Sequence, residues 1–321
     1  MFCYVYFVKN GGKLLKKWHS TRNIGYYLPI LSIITIFGTL LPAKQMKITL
    51  LVDNRLQNDT TELQTEHGLS IHIEYNNLRI LCDVGASSIF ADNARIMNVE
   101  LGMCDFTFIS HGHNDHCGGL GYFLDKYAEI PVYIHSDIAA NEYLSTRREV
   151  RRNLSIDSCI FNDYKERFTL FETTTEIAKG VFAVQCKRKV HPMPTGNRFL
   201  WKSDGKKVEN DTFEHELSLA FVTHKGLVIV SPCSHCGALN IMQECKIATG
   251  CEKVYAYIGG LHFVEGDDCV LESRTFAETI RREYTDTLFF TGHCTCDTAK
   301  DILENSTENI KSFSTGCIIE L

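Results

Sequence analysis

The chain lacks any long run of like charge. Its 33 basic and 39 acidic residues give a formal net charge of −6, and the two basic stretches, near 13–17 and 147–152, are short. Nothing in this distribution marks a nucleic-acid-binding surface, which needs clustered cations to displace the counterions of phosphates. There is also no internal repeat of fixed period and no low-complexity linker, so a solenoid is not expected. What is present is ordinary globular composition. Apolar residues make up 44% and charged residues 22% of 321 positions, enough to bury a sizeable core and too apolar for disorder over most of the length. Such a length suits one large domain with an N-terminal appendage.

Fourteen cysteines is a high count, and disulfides accumulate in exported chains. Most of these cysteines fall inside apolar runs, as Cys82 does after Leu81 and Cys317 does before Ile318. The expectation is therefore buried free thiols in a reducing, cytoplasmic setting. The first 45 residues read differently. Residues 26–43 are almost uncharged and follow Lys13, Lys16, Lys17 and Arg22, the order of a signal peptide or an N-terminal anchor. The run is at the lower limit for a spanning helix, and Pro29 and Gly38 weaken it. A natural start at Met46 is a third reading. Residues 1–45 are set apart from a domain of 46–321, with membrane anchoring or export expected only if that segment acts as an anchor or signal.

From Met46 onward, short β-rich runs bounded by polar or glycine-containing turns alternate with helical patterns. Residues 47–52, 69–75, 78–83 and 106–110 read as strands. A short helix is expected at 92–97 and another at 119–127, where Leu120, Phe123, Leu124 and Tyr127 recur at helical spacing. Strands are expected at 131–135, 168–171, 181–190, 217–223, 227–232, 253–258, 288–291 and 312–319, with a hairpin turn at 223–226. Helices are expected at 237–245 and 273–284, and 146–210 reads as an irregular middle. This order suits two packed sheets with helices on their outer faces.

The chemistry concentrates in Ser110-His111-Gly112-His113-Asn114-Asp115-His116-Cys117-Gly118-Gly119-Leu120. Three imidazoles and a carboxylate within six residues, just after a strand, supply nitrogen and oxygen donors suited to zinc, manganese or iron. Gly112 and the Gly118-Gly119 pair are expected to let the backbone bend so that these side chains converge. Three later strand ends carry further donors: Cys233-Ser234-His235-Cys236, Gly259-Gly260-Leu261-His262 and Gly292-His293-Cys294-Thr295-Cys296. The Cys294-x-Cys296 spacing has no second cysteine pair to complete a thiolate zinc site. His262 can act as a ligand or as a proton donor beside the metals. His191 follows another strand, and a packed or surface histidine is its simpler reading.

The H-x-H-x-D-H spacing resembles the metallo-β-lactamase superfamily. That resemblance implies an α/β fold, a four-layer αββα sandwich with metals at one edge. It implies that His111 and His113 bind one ion and Asp115 and His116 the other, with His235 and His293 completing the set. Ile80-Leu81-Cys82-Asp83-Val84-Gly85 is similar to the superfamily's first motif, in which the aspartate, here Asp83, supports the histidine loop. Cys233 stands where the superfamily places a bridging aspartate or, in some β-lactamases, a cysteine; of Cys233 and His235, the histidine is the preferred ligand.

Several phrases together, among them Leu51-Val52-Asp53-Asn54, Glu66-His67-Gly68-Leu69-Ser70 and His293-Cys294-Thr295, resemble the branch that includes the dihydropterin ribofuranosylaminobenzene phosphate synthases. The resemblance spans about 46–321. It departs at Pro232 and Cys296, where the branch leads one to expect glycine. The function implied is a di-metal hydrolase, zinc first and manganese or iron as alternatives, with Asp115 and His262 as its catalytic residues. Its partner is a small-molecule ester, phosphoester, lactone, thioester or amide. The alternative is a non-hydrolytic member, a pterin-related synthase or an iron-binding redox protein. No arginine cluster or glycine-rich phosphate cradle stands near the ligands in the sequence.

Overall fold

The computed structural model describes residues 46–57, 62–147, 150–266 and 268–321, together with the backbone of 9–10 and 13–14. The chain divides into two units, Met1–Leu41 and Pro42–Leu321. In the first, Lys9–Asn10 pairs antiparallel with Lys13–Leu14. The anchor-like run 26–43 lies outside the described residues. Among the described residues, no helix is long and apolar enough to cross a membrane.

Two seven-stranded sheets organise the second unit. The first runs, in spatial order, Phe168–Phe171, Val132–His135, Phe106–Phe108, Leu78–Cys82, Ser70–Tyr75, Met46–Val52 and Ile318–Glu320. The second runs Thr175–Ala178, Val181–Gln185, Leu217–Thr223, Gly226–Val230, Val254–Ile258, Leu288–Thr291 and Ile310–Ser312. In each sheet an antiparallel meander leads into parallel pairs, as where Leu217–Thr223 turns through His224-Lys225 into Gly226–Val230, which then pairs parallel with Val254–Ile258.

The side chains explain why the sheets stack. Successive residues of a strand point to opposite faces. Ile48, Leu50, Ile71, Ile73, Ile80 and Phe108 pack against Leu219, Phe221, Val228, Val230, Ala256 and Ile258 between the sheets. The alternate residues Leu51, Leu81 and Val132 pack on helices Ile89–Ile96 and Leu120–Lys126 through Phe90, Ala94, Phe123 and Leu124. On the far side, Ile229, Tyr257 and Phe289 meet Ile241, Cys245, Phe276, Ile280 and Leu303 of helices Ala238–Thr249, Cys269–Glu283 and Asp297–Ser306. Strands buried on both faces read as continuous apolar runs, which is the character of Leu227-Val228-Ile229-Val230. The result is the four-layer αββα sandwich.

Three expectations are corrected. Residues 312–319 are not one strand: Ile310–Ser312 ends in the second sheet, and Ile318–Glu320 joins the first, with Gly316 at φ +94° in the turn between them. The strand at 181–190 stops at Gln185. In the stretch 146–210, read as irregular apart from strands at 168–171 and 181–190, Thr175–Ala178 adds the edge strand of the second sheet. The stretch also contributes Arg152–Asn153, Leu200–Ser203 and Val208–Asn210, which join Glu142–Ser145 in a four-stranded sheet. Every cysteine among the described residues is a free thiol, and most are buried.

Candidate metal centre

The carboxyl ends of six strands converge, and each is followed by a residue of the centre. Met46–Val52 leads to Asp53 and Asn54, Leu78–Cys82 to Asp83, and Phe106–Phe108 to the histidine loop. Gly226–Val230 leads to Cys233 and His235, Val254–Ile258 to His262, and Leu288–Thr291 to His293. Ligand sites in α/β proteins favour such carboxyl edges. Asp83, Ser234, His262 and His293 adopt left-handed backbone with φ of 58°, 59°, 52° and 50°. Such strain costs about 1–3 kcal/mol per residue and persists where surrounding bonds hold it. At His293 the N–H donates to Asp53 Oδ1 at 2.7 Å.

The glycines of the histidine loop act by small size rather than by bending. A Cβ on Gly112 would lie 2.3 Å from the ring of Tyr143, and one on Gly119 would lie 2.4 Å from the carbonyl oxygens of Val84 and Ser87. The loop is thus pressed against its neighbours at both ends.

Four of the histidines, His111, His116, His235 and His293, are held so that Nε2 faces inward. His116 Nδ1 donates to Asp83 Oδ2 at 2.7 Å. His111 Nδ1 donates to Ser110 Oγ at 2.9 Å, and that hydroxyl donates to Asp83 at 2.7 Å. His235 Nδ1 donates to Asn197 Oδ1 at 3.1 Å, and His293 Nδ1 donates to Asn54 Oδ1 at 3.1 Å. These bonds place the proton on Nδ1 and leave the Nε2 lone pair free. Asp83 therefore sits where the resemblance put it, bonded to His116 and Ser110 rather than aimed at the centre.

The free nitrogens fall into two groups. His111 Nε2 lies 3.1 Å from His113 Nδ1 and 3.3 Å from His235 Nε2. His116 Nε2 lies 2.9 Å from His293 Nε2, and Asp115 Oδ2 lies 3.3 Å from His293 Nε2. Facing lone pairs repel unless a proton or cation lies between them. Two nitrogens on one tetrahedral zinc, each about 2.0–2.1 Å from it, stand roughly 3.3 Å apart. The donor set and its spacing thus fit a metal ion.

Cys233 completes both groups. Its Sγ lies 3.3 Å from His116 Nε2, and it clusters both with His111 and His235 and with His116 and His293. Choosing His235 over Cys233 from the sequence was too narrow, because both side chains reach the centre. His191 does not: its backbone is held by Asn240 on the helix Ala238–Thr249, beside a separate apolar cavity.

Electrostatics leave His111, His113 and His235 neutral, as a ligand role requires, whereas Asp115 acts the other way on His293. Burial and neighbouring rings hold His111 and His235 well below the ordinary histidine range. Burial brings His113 down to about 4. Burial also acts to lower His293, but Asp115 outweighs it and the value rises to about 9. Burial favours a neutral Asp115, yet His116 and His293 hold it well below the usual carboxylate range.

His262 is buried, its ring stands 4.2 Å from that of His235, and its Nδ1 has no partner among the described residues. A cavity of about 550 Å³ opens over His113, Asp115, Cys233, His235 and His262.

Several supporting residues carried no readable signal in the sequence. His215 accepts from Gly112 N–H and pairs with Asp211 at 2.9 Å. Glu216 accepts the backbone N–H groups of His235 and Cys236, each at 2.7 Å. The ring of His67 stacks on that of His293 at 5.5 Å, with Nε2 3.5 Å from Asp115. Asp211, His215 and Glu216 stand in a polar stretch before an apolar strand, which reads as an ordinary loop. Arg147 also lines the cavity, although no arginine cluster stands near the donors in the sequence.

The family profile of the metallo-beta-lactamase superfamily matches residues 65–227. The chain belongs to that superfamily. It is 29% identical over 271 residues to the 7,8-dihydropterin-6-methyl-4-(beta-D-ribofuranosyl)-aminobenzene-5'-phosphate synthase of Methanocaldococcus jannaschii, covering 80% of this chain and 90% of that protein. Among solved structures it is similar to Tm1679, a metal-dependent hydrolase of the beta-lactamase superfamily. The identity there is 27% and the TM-score 0.71, over 86% of this chain and 99% of that one. The metallo-beta-lactamase fold protein YhfI from Bacillus subtilis shares the fold at 12% identity and a TM-score of 0.51, over 87% of this chain and 100% of that one.

Proposed function

We propose that the chain is a metal-dependent hydrolase of a small molecule, built around two divalent ions, zinc first among the candidates. The observation that carries this reading is the convergence of two groups of free donor atoms with Cys233 between them. His111, His113 and His235 would hold one ion, Asp115, His116 and His293 the other, and the Cys233 thiolate would contact both. When bound, such a pair lowers the pKa of a shared water and polarises the substrate oxygen.

The remaining steps belong to the protein. Asp83, Ser110, Asn54 and Asn197 hold the tautomers and ring orientations on which the donor set depends. His262 borders the cavity. Burial, together with the positive charge of Arg147, holds it well below the ordinary histidine range. It therefore acts as a neutral ring that hydrogen-bonds the leaving atom, not as an imidazolium that donates to it. The exposed Arg147 and the buried Leu200 line the same cavity.

A second reading is supported by the relative named as a synthase. In it the same donors serve a non-hydrolytic, pterin-related reaction or an iron-binding redox role, and the thiols of Cys233 and Cys294 affect which metal is held. Metal analysis of anaerobically purified protein, joined to a screen of phosphodiester, lactone and thioester substrates, separates the two. Zinc or manganese with turnover supports hydrolysis; iron without hydrolysis sinks it in favour of the second reading.

A further inference from the structure

Two thiols meet where two loops of the metal centre come together. Cys269 opens the helix Cys269–Glu283, and Cys296 caps the start of the helix Asp297–Ser306. Their sulfur atoms stand 2.9 Å apart, within about an ångström of bonding distance. Both are free thiols. Cys269 is buried, whereas Cys296 is half-buried and lines a polar cavity of about 260 Å³ that it shares with His67, Arg147 and His293. An oxidant entering that cavity therefore meets Cys296 first, with Cys269 in contact behind it.

The two sulfurs belong to the segments that follow His262 and His293. Phe263 follows His262, and its carbonyl accepts the N–H of Cys296 at 2.8 Å. Glu265 Oε1 accepts the hydroxyl of Thr298 at 3.2 Å. Val264 borders both this cavity and the larger one over the metal donors. A covalent bond between the sulfurs would thus fix a wall common to both cavities. Of the other thiols that meet, Cys186 and Cys236 do so in the buried core, and Cys233 is engaged with the metal donors.

We propose that Cys269 and Cys296 are a reversible latch, closed as a disulfide by hydrogen peroxide, that fastens the segment after His262 to the segment after His293. The Cys296 sulfur attacks one peroxide oxygen, the O–O bond breaks, and a sulfenic acid and one water form. The Cys269 sulfur then attacks that of Cys296, the S–O bond breaks, and a second water leaves. Two thiols are oxidised and one peroxide is reduced. An external dithiol returns the two electrons and opens the latch. Burial, with the Cys269 thiol beside it, pushes Cys296 up to about 12, so thiolate is scarce at neutral pH and the first step is slow. The pair answers sustained oxidant, and in a reducing setting it rests open. The latch goes beyond the hydrolase reading and does not depend on it.

The test uses the zinc-loaded full chain as wild type, Cys269→Ser and Cys296→Ser. Each is incubated with hydrogen peroxide, blocked with N-ethylmaleimide and mapped by peptide mass spectrometry, with and without later dithiothreitol. The latch predicts a wild-type peptide pair joined through Cys269 and Cys296, two hydrogens lighter than the separate thiol peptides and reopened by dithiothreitol. The oxidised wild type should melt roughly 5–10 °C higher than the reduced protein, and hydrogen exchange across 263–266 should slow. Neither serine variant should show the pair or the rise in melting temperature. The wild-type map decides even if a serine variant fails to fold. No joined pair, or either cysteine joined to a different partner, overturns the proposal. A joined pair without slower exchange across 263–266 overturns the latch.

Discussion

The two sheets supply the metal centre in different ways. The first sheet offers four donor side chains from six consecutive residues, His111 to His116, on one turn after one strand. The second offers Cys233, His235, His262 and His293 from three separate strand ends, three of them built on a residue in left-handed backbone. One half is local, so its chemistry is visible in a short stretch of sequence. The other half exists only because parallel strands end together, which depends on the whole fold.

The sharpest way to break that comparison is to remove one donor from each half. His113→Ala and His235→Ala should each cost more than about a hundredfold in turnover, exceeding the effect of changing a residue that merely supports a ligand. Each should also lower the metal content from two ions toward one, counted by plasma mass spectrometry. If His235→Ala retained near-normal turnover and metal, the second sheet would be a wall and not a partner.

Smaller effects compare the supports. Asp83→Asn sets an amide against the Ser110 and His116 donors and should weaken metal binding by about ten- to a hundredfold, read by chelator competition. Asn54→Ala frees a single Nδ1 proton and should stay near the lower end of that range. A reversed order would mean that the contiguous loop orients itself. His262→Asn comes next. Asparagine tolerates left-handed backbone but presents its amide from a shorter side chain, so the variant should fold and keep both ions while kcat falls by up to about tenfold through a lost hydrogen bond to the leaving atom. An unchanged kcat would place His262 outside the chemistry.

The smallest effect on activity comes from a histidine that serves neither half. His72, on the strand Ser70–Tyr75, is buried with neither ring nitrogen bonded. Burial lowers its pKa from 6.5 to about 4, with Glu74 opposing and Lys47 and Arg79 adding to the shift. The unfolded chain therefore binds a proton that the fold refuses between those values. Stability is full above about pH 6.5 and declines as pH falls toward about 4, by roughly 3 kcal/mol from this group. In His72→Leu, urea unfolding should show a correspondingly smaller loss over that range and ordinary activity at neutral pH. An identical acid profile would contradict the assignment.

The legible parts of the molecule were those set by short-range pattern. The apolar strands, the helix after the histidine loop and the loop itself follow from periodicity and from ligand chemistry. The helix Asp297–Ser306 went unread because Ala299 and Leu303 alone give it a buried face over ten residues. The run 312–319 misled because both of its ends are strand-like, and the turn at Gly316 sends them to different sheets. Asn197 gains meaning only from His235, 38 residues away, and the Asp211–His215 pair only from the loop at Gly112 that it supports. Arg147 stood in one of two short basic stretches, and its place beside the cavity follows only from the small four-stranded sheet that precedes it.

The central claim is that the two unlike halves hold two ions together. Metal content and turnover of the double variant His113→Ala and Asp115→Ala, set beside the wild type, address it most directly. The account predicts about two ions per wild-type chain, with both metal content and turnover collapsing in the double variant while the fold persists by circular dichroism. A double variant that kept its full metal content and activity would contradict it.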